Sequence, residues 1–302
     1  MKLRAGTRGS DLALWQTNWV SDRLRAAHPG LEIEPVIIKT HGDVVTDQNF
    51  GRDWPQGAFV RALEQALLED HIDFAVHSFK DLQTEDRAGL VIAATPPREV
   101  SHDVLLTRAA ERVEDLPRGA RIGTNSPRRA AQILEKGQFE IVPIRGNVPT
   151  RIAKIERDHL DGVILAAAGL KRLGIQHPRM IPLDPEWFVP APAQGALAVQ
   201  TRVDDPAREV IAVLEDAATR KAVTAERMIL RRINAGCHTP VGALATLIGG
   251  AGALTGYTIS LHAKLFTDDY ARKAEGVERG TDPVKVGIAL ADRLLASLGT
   301  QP

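Results

Sequence analysis

The chain has 302 residues, 44% of them hydrophobic and 25% charged, with 38 basic side chains balanced by 38 acidic ones. This is the composition of a globular protein too long for one ordinary core, so two or three domains are expected. Zero formal charge argues against a nucleic-acid coat, and no apolar run nears the roughly eighteen residues that cross a bilayer. With one cysteine and no apolar signal core at the amino end, the expected location is the cytoplasm, without nucleic-acid or membrane partners.

Leu3-Arg4-Ala5-Gly6-Thr7 reads as a short strand ending in a glycine turn, with Ser10 as the cap of a helix. Leu12, Trp15, Trp19 and Leu24 then keep helical spacing until His28-Pro29-Gly30. Residues 33–39 alternate as a strand. The polar stretch 41–56 shows little periodicity and reads as a long loop of the kind used as a lid. An amphipathic helix is expected over 59–68, and a buried strand over 72–79 that runs into Lys80-Asp81. Strands alternating with helices predict an α/β architecture with mainly parallel sheets.

A second unit begins near residue 100. Arg121-Ile122-Gly123-Thr124-Asn125-Ser126 echoes Arg4-Ala5-Gly6-Thr7-Arg8-Gly9-Ser10, and a helical pattern follows each. Either copy offers a helix N-terminus to an anion or is ordinary strand-to-helix turn chemistry. Residues 162–168 form another buried strand pattern, and Pro190-Ala191-Pro192-Ala193-Gln194-Gly195 reads as a crossover returning 196–200 to the first sheet. A helix over 206–214 leads to a third unit with a helix over 222–233, Cys237, short strands and a closing helix over 284–298. The expected domains are 1–98 with 194–216, then 99–193, then 217–302. The expected fold is α/β, with two doubly wound domains resembling type II periplasmic binding proteins plus a smaller α+β C-terminal domain.

Arg8, Arg128, Arg129, Arg145, Arg151 and Arg172 gather at predicted strand ends and helix starts, where open α/β sheets bind ligands. Cations concentrated there point to a polyanion, since guanidinium matches carboxylate or phosphate in two-point pairs. About three in four basic residues are arginine, a bias that a GC-rich genome or heat adaptation would also produce. Asp81 is an acid among these cations, suited to stabilising a cationic intermediate or to a plain salt bridge. No zinc-type spacing, dinucleotide fingerprint, P-loop or nucleophile-elbow motif occurs, so no metal is expected. The single thiol, Cys237, cannot form an internal disulfide; it is either a small buried apolar residue or a point of chemistry.

Seven segments stand in order: 6–16 (GTRGSDLALWQ), 75–81 (AVHSFKD), 123–129 (GTNSPRR), 145–151 (RGNVPTR), 168–174 (AGLKRLG), 194–196 (QGA) and 236–237 (GC). Together they resemble the hydroxymethylbilane synthase (porphobilinogen deaminase) family from about residue 3 to the carboxyl end. The resemblance implies a transferase of porphyrin and heme biosynthesis that condenses four porphobilinogen molecules head to tail, releases ammonia and hydrolyses off linear hydroxymethylbilane. It implies a dipyrromethane primer joined by a thioether to Cys237, and a monomer. Asp81 and Lys80 match the family's catalytic pair. Ser10, Lys80, Asp81, Thr124, Ser126, Arg128, Arg129 and Arg145 match its cofactor positions, and Arg8, Ser10, Gln16, Arg151 and Arg172 its substrate positions. The chain departs from the family pattern at Trp54-Pro55-Gln56-Gly57-Ala58-Phe59, at Val100-Ser101-His102, at Asn125-Ser126-Pro127, at Ala193 and around the thiol. Those differences bear on loop and hinge behaviour, not on the matched acid, arginines or thiol. The alternative is a two-domain anionic-solute-binding or sensor protein, which shares the architecture but has no need of a thiol on a third domain.

Overall fold

The computed structural model describes residues 1–38, 58–234, 239–249 and 256–299. The expected loop at 41–56 and Cys237 lie outside the described residues. The chain divides into two compact units, Met1–Arg98 with Ala196–Arg220 and Glu99–Gly195 with Lys221–Pro302.

In the first unit, β1 (Lys2–Thr7), α1 (Asp11–Ala27), β2 (Glu32–Ile37), α2 (Ala58–Leu68), β3 (Phe74–Ser78) and β4 (Leu90–Ala94) follow in order. The second unit begins with β5 (Asp103–Thr107), β6 (Arg121–Gly123), α3 (Pro127–Leu134), β7 (Glu140–Val142), α4 (Val148–Arg157), β8 (Gly162–Ala166), α5 (Ala167–Arg172) and β9 (Met180–Leu183). The chain then returns to the first unit as β10 (Leu197–Arg202) and α6 (Ala207–Ile211). It finishes with α7 (Ala217–Arg232), β11 (Val241–Ile248), β12 (Thr258–Phe266), β13 (Lys273–Gly280) and α8 (Pro283–Leu298).

The two five-stranded sheets run β2-β1-β3-β10-β4 and β7-β6-β8-β5-β9, the same order with β10 and β5 in equivalent places. Two α/β domains thus share one strand order, and a smaller sheet-plus-helix domain is built on β11-β12-β13. The sheets are mixed rather than mainly parallel. β1 pairs in parallel with β2 and β3, but β10 is antiparallel to β3 and β4, and β5 is antiparallel to β8 and β9. The reason is entry direction. The first residue of β10, Leu197, pairs with Ser78 at the end of β3, and Asp103 of β5 pairs with Ala166 at the end of β8. Each crossing segment therefore enters at the carboxyl edge of the parallel strands and runs backwards along them.

The strands read as apolar runs because both sheet faces are covered. Phe74 and Val76 pack with Val20, Leu24 and Val199 on one face, while Ala75 packs with Leu63, Leu67 and Ile72 on the other. In the second unit, Leu106, Val163 and Leu165 meet Ile155 and Leu160, and Leu105 and Ile164 meet Ile133 and Phe188. The small sheet buries Ala243, Leu261 and Ala263 of one face against Ile229, Leu290 and Leu294. It is fastened to the rest of its unit by main-chain and charge-assisted hydrogen bonds. Ala243 N donates to Pro190 O at 2.9 Å, Lys264 donates to Trp187 O at 2.8 Å, and Glu226 accepts from Ala193 N at 2.6 Å and Ala245 N at 2.9 Å.

Helix starts follow their caps. Ser10, Ser126, Asn147 and Asp282 each accept from a first-turn amide, worth about 1 kcal/mol apiece. The helix expected over 222–233 begins earlier, at Ala217, because the Asp216 carboxylate accepts Thr219 N at 2.7 Å and caps it.

Candidate active site

In the first unit the site residues follow two adjacent parallel strands. β1 is followed by Arg8 and by Ser10, whose side chain accepts from Ala13 N at 3.4 Å. β3 runs into a single 3-10 turn, Phe79–Asp81, which leaves Asp81 exposed and Lys80 half-buried. Gln16, on α1 and 3% exposed, donates Nε2 to Ser78 Oγ at 2.9 Å, tying the helix to the strand end that carries Asp81. On the other face His77 is buried, and burial lowers its pKa to about 4, so it is neutral in the folded protein.

In the second unit β6 lies between β7 and β8, and the site residues follow all three. Thr124 Oγ1 accepts from Ser126 N at 3.1 Å, and Ser126 caps α3, whose first turn carries Arg128 and Arg129. Arg145 is exposed beyond β7, and Arg151 on α4 donates Nε to Gly146 O at 2.8 Å. Arg172 closes α5, is 8% exposed, and donates to Gly195 O at 2.7 Å. Burial lowers its pKa to about 10, with Glu99 acting against that shift.

Arg128 and Arg129 are 4% and 7% exposed and share one acid, Asp103, which is fully buried. Arg128 reaches Asp103 Oδ2 at 2.8 Å and Val189 O at 2.9 Å; Arg129 reaches Asp103 Oδ1 at 2.7 Å and Ile164 O at 2.9 Å. Sequence reasoning did not single out Asp103 as a site residue. Its signal was present: an acid opening the otherwise apolar strand Asp103-Val104-Leu105-Leu106 must be paired if buried.

The two Gly-Thr turns owe their glycines to packing. A Cβ on Gly6 would stand 2.2 Å from Ile72 Cδ1, and one on Gly123 would stand 2.9 Å from Leu160 and Val163 methyls. In both segments a glycine set close against apolar side chains is followed by a serine-capped helix. Among the described residues no cluster of three or more metal-ligating side chains occurs.

These strand ends belong to an α/β protein with two five-stranded sheets of like strand order and an added three-stranded sheet with helices. Residues 3–209 match the family model described as porphobilinogen deaminase, dipyromethane cofactor binding domain, and residues 220–296 match porphobilinogen deaminase, C-terminal domain. The porphobilinogen deaminase of Trichlorobacter lovleyi is 44% identical over 99% of this chain and 94% of its own length. Those of Pelobacter propionicus (43%, covering 99% and 95%) and Carboxydothermus hydrogenoformans (42%, covering 96% and 92%) are similar throughout. The chain belongs to the porphobilinogen deaminase family.

Proposed function

We propose that the chain is a hydroxymethylbilane synthase, a transferase that joins four porphobilinogen molecules head to tail with loss of ammonia and hydrolyses the tetrapyrrole from a dipyrromethane primer. The observation that carries this reading is the pair of family matches, together spanning 3–209 and 220–296 of one chain. A solute-binding or sensor protein of the same topology has no use for the second of them.

The donor set suits dipyrromethane, whose acetate and propionate side chains are anions. Arg128 Nε is buried and makes no hydrogen bond among the described residues, and its helix begins at a serine cap beside a second guanidinium. When bound, the group supplies the pyrrole carbon to which the first substrate unit is joined. Arg128, Arg129, Arg145, Lys80, Ser10, Thr124 and Ser126 would hold it, and Cys237 would anchor it through a thioether. Arg8, Arg151, Arg172, Ser10 and Gln16 would take the carboxylates of substrate and product, where two-point guanidinium pairs fix position as well as charge.

Asp81 then has the acid's role. As the aminomethyl nitrogen of porphobilinogen departs with the carbon–nitrogen bonding pair, positive charge spreads over the substrate's pyrrole nitrogen, and a carboxylate at the strand end stabilises it. A carbon–carbon bond forms, the coupling carbon loses its proton, and Asp81 would accept it. Lys80, beside it, would donate to a carboxylate of the pyrrole side chains. We also infer a monomer acting in the cytoplasm without nucleic-acid or membrane partners. The family resemblance supports the monomer, charge balance argues against a nucleic-acid partner and the lone cysteine fits the cytoplasm; among the described residues no helix is long and apolar enough to cross a membrane.

Intact-protein mass spectrometry tests the reading. The expected result is an excess equal to two linked pyrrole units, lost in Cys237→Ala. An unmodified wild-type chain from a porphobilinogen-competent host would falsify it.

A further inference from the structure

We propose that Asp103 is a positioning residue for this reaction: it sets the Arg128 and Arg129 guanidiniums as a fixed pair and ties that pair to both segments that carry the chain between the units. The proposal rests on the reading above, in which those arginines receive carboxylates.

Asp103 is the fifth residue of the second unit and is 0% exposed. Its Oδ2 lies 2.8 Å from Arg128, and its Oδ1 accepts from Arg129 Nε at 3.1 Å and from the second Arg129 nitrogen at 2.7 Å. Gln194, also 0% exposed, donates Nε2 to the same Oδ1 at 3.0 Å and to Ser101 O at 2.7 Å. Ser101 and Asp103 belong to the segment entering the unit at residue 99, and Gln194 to the segment leaving it at residue 195. One carboxylate therefore joins the incoming segment, the outgoing segment and the helix start that carries both arginines.

The charge pattern separates this acid from a simple core ion pair. Among the described residues two guanidiniums pair with this one carboxylate, an excess of positive charge of the polarity that an arriving carboxylate requires. Burial pushes Arg128 below the ordinary arginine range, Asp103 works against that push, and Arg129 adds to it. Asp103→Asn would keep an oxygen for Arg129 and Gln194 but turn an amide NH₂ toward the Arg128 donor, so Arg128 would have to swing away.

The test uses the full chain prepared without porphobilinogen, with the mass gain at Cys237 followed after porphobilinogen is added. Wild type should load, and its failure to do so would overturn the functional reading rather than this one. D103N, assayed well below its melting temperature, should load at least about tenfold more slowly, the factor expected for losing a charge-assisted hydrogen bond. The control is Asp161→Asn, at the opposite edge of the same sheet, where Asp161 accepts Arg121 N at 2.8 Å; it should load at the wild-type rate. If D103N does not fold, Gln194→Ala carries the test, because it removes one neutral donor and leaves the ion pairs; it should slow loading about threefold or more. Wild-type loading by folded D103N (or by Gln194→Ala in its place), or equal slowing by Asp161→Asn, overturns the proposal.

Discussion

Gly195 sits where the chain leaves the second unit, at φ +87°, and a Cβ added there would stand 2.4 Å from Glu99 O and 2.6 Å from Val100 O. Both obstacles are backbone atoms of the incoming segment, so they cannot rotate away as a side chain would. Gly195→Ala therefore carries two penalties. The left-handed backbone costs about 1–2 kcal/mol for an L-residue. The shift that relieves the clash also pulls Gly195 O from Glu99 N at 3.2 Å and from the buried Arg172 guanidinium at 2.7 Å, and a charged hydrogen bond contributes about 1.5–3 kcal/mol. The expected loss is about 3–5 kcal/mol, a large share of a typical domain's 5–15 kcal/mol. Gly174→Ala isolates the first penalty, since Gly174 has φ +63° and nothing within 4 Å of its added Cβ. Urea unfolding read by Trp187 fluorescence reports on the second unit once Trp15, Trp19 and Trp54, all in the first, are replaced by Phe in every variant compared. Equal losses of unfolding free energy in the two variants would refute the steric argument.

Two further outcomes are expected. His77 has a folded pKa of about 4 against its ordinary 6.5, so between those values the unfolded chain binds a proton that the folded chain rejects. Its contribution is present above pH 6.5 and is lost as pH falls toward 4, by up to about 3 kcal/mol. His77→Gln should flatten the stability slope across that window in denaturant titrations at stepped pH, and an unchanged slope would show that other groups set it. Asp81→Asn preserves shape and removes the charge. It should lower turnover of porphobilinogen by at least about a hundredfold, in the range ascribed to one electrostatic group, while the two-pyrrole mass stays attached. Normal turnover would reject Asp81's electrostatic role.

Local order was legible wherever residue chemistry acts over a few positions. The Ser10 and Ser126 caps, the apolar run Phe74-Ala75-Val76 and the return to the first sheet, expected over 196–200 and observed as β10 over 197–202, follow from spacing and propensity. The start of α7 was less legible, because Asp216 caps it ahead of the apolar periodicity. Strand direction was not legible at all: the antiparallel placement of β5 and β10 depends on where a distant segment enters the sheet.

The same division holds at the site. The sequence by itself determined which residues stand at strand ends and helix starts, because caps, glycine turns and arginines act within a few positions of one another. Only the tertiary structure decided that Arg128 and Arg129 converge on Asp103, about twenty-five residues away, with Gln194 on the same oxygen. That pairing follows from burial: a carboxylate at the head of an apolar strand must find cations wherever the fold brings them, and sequence spacing carries no record of that distance.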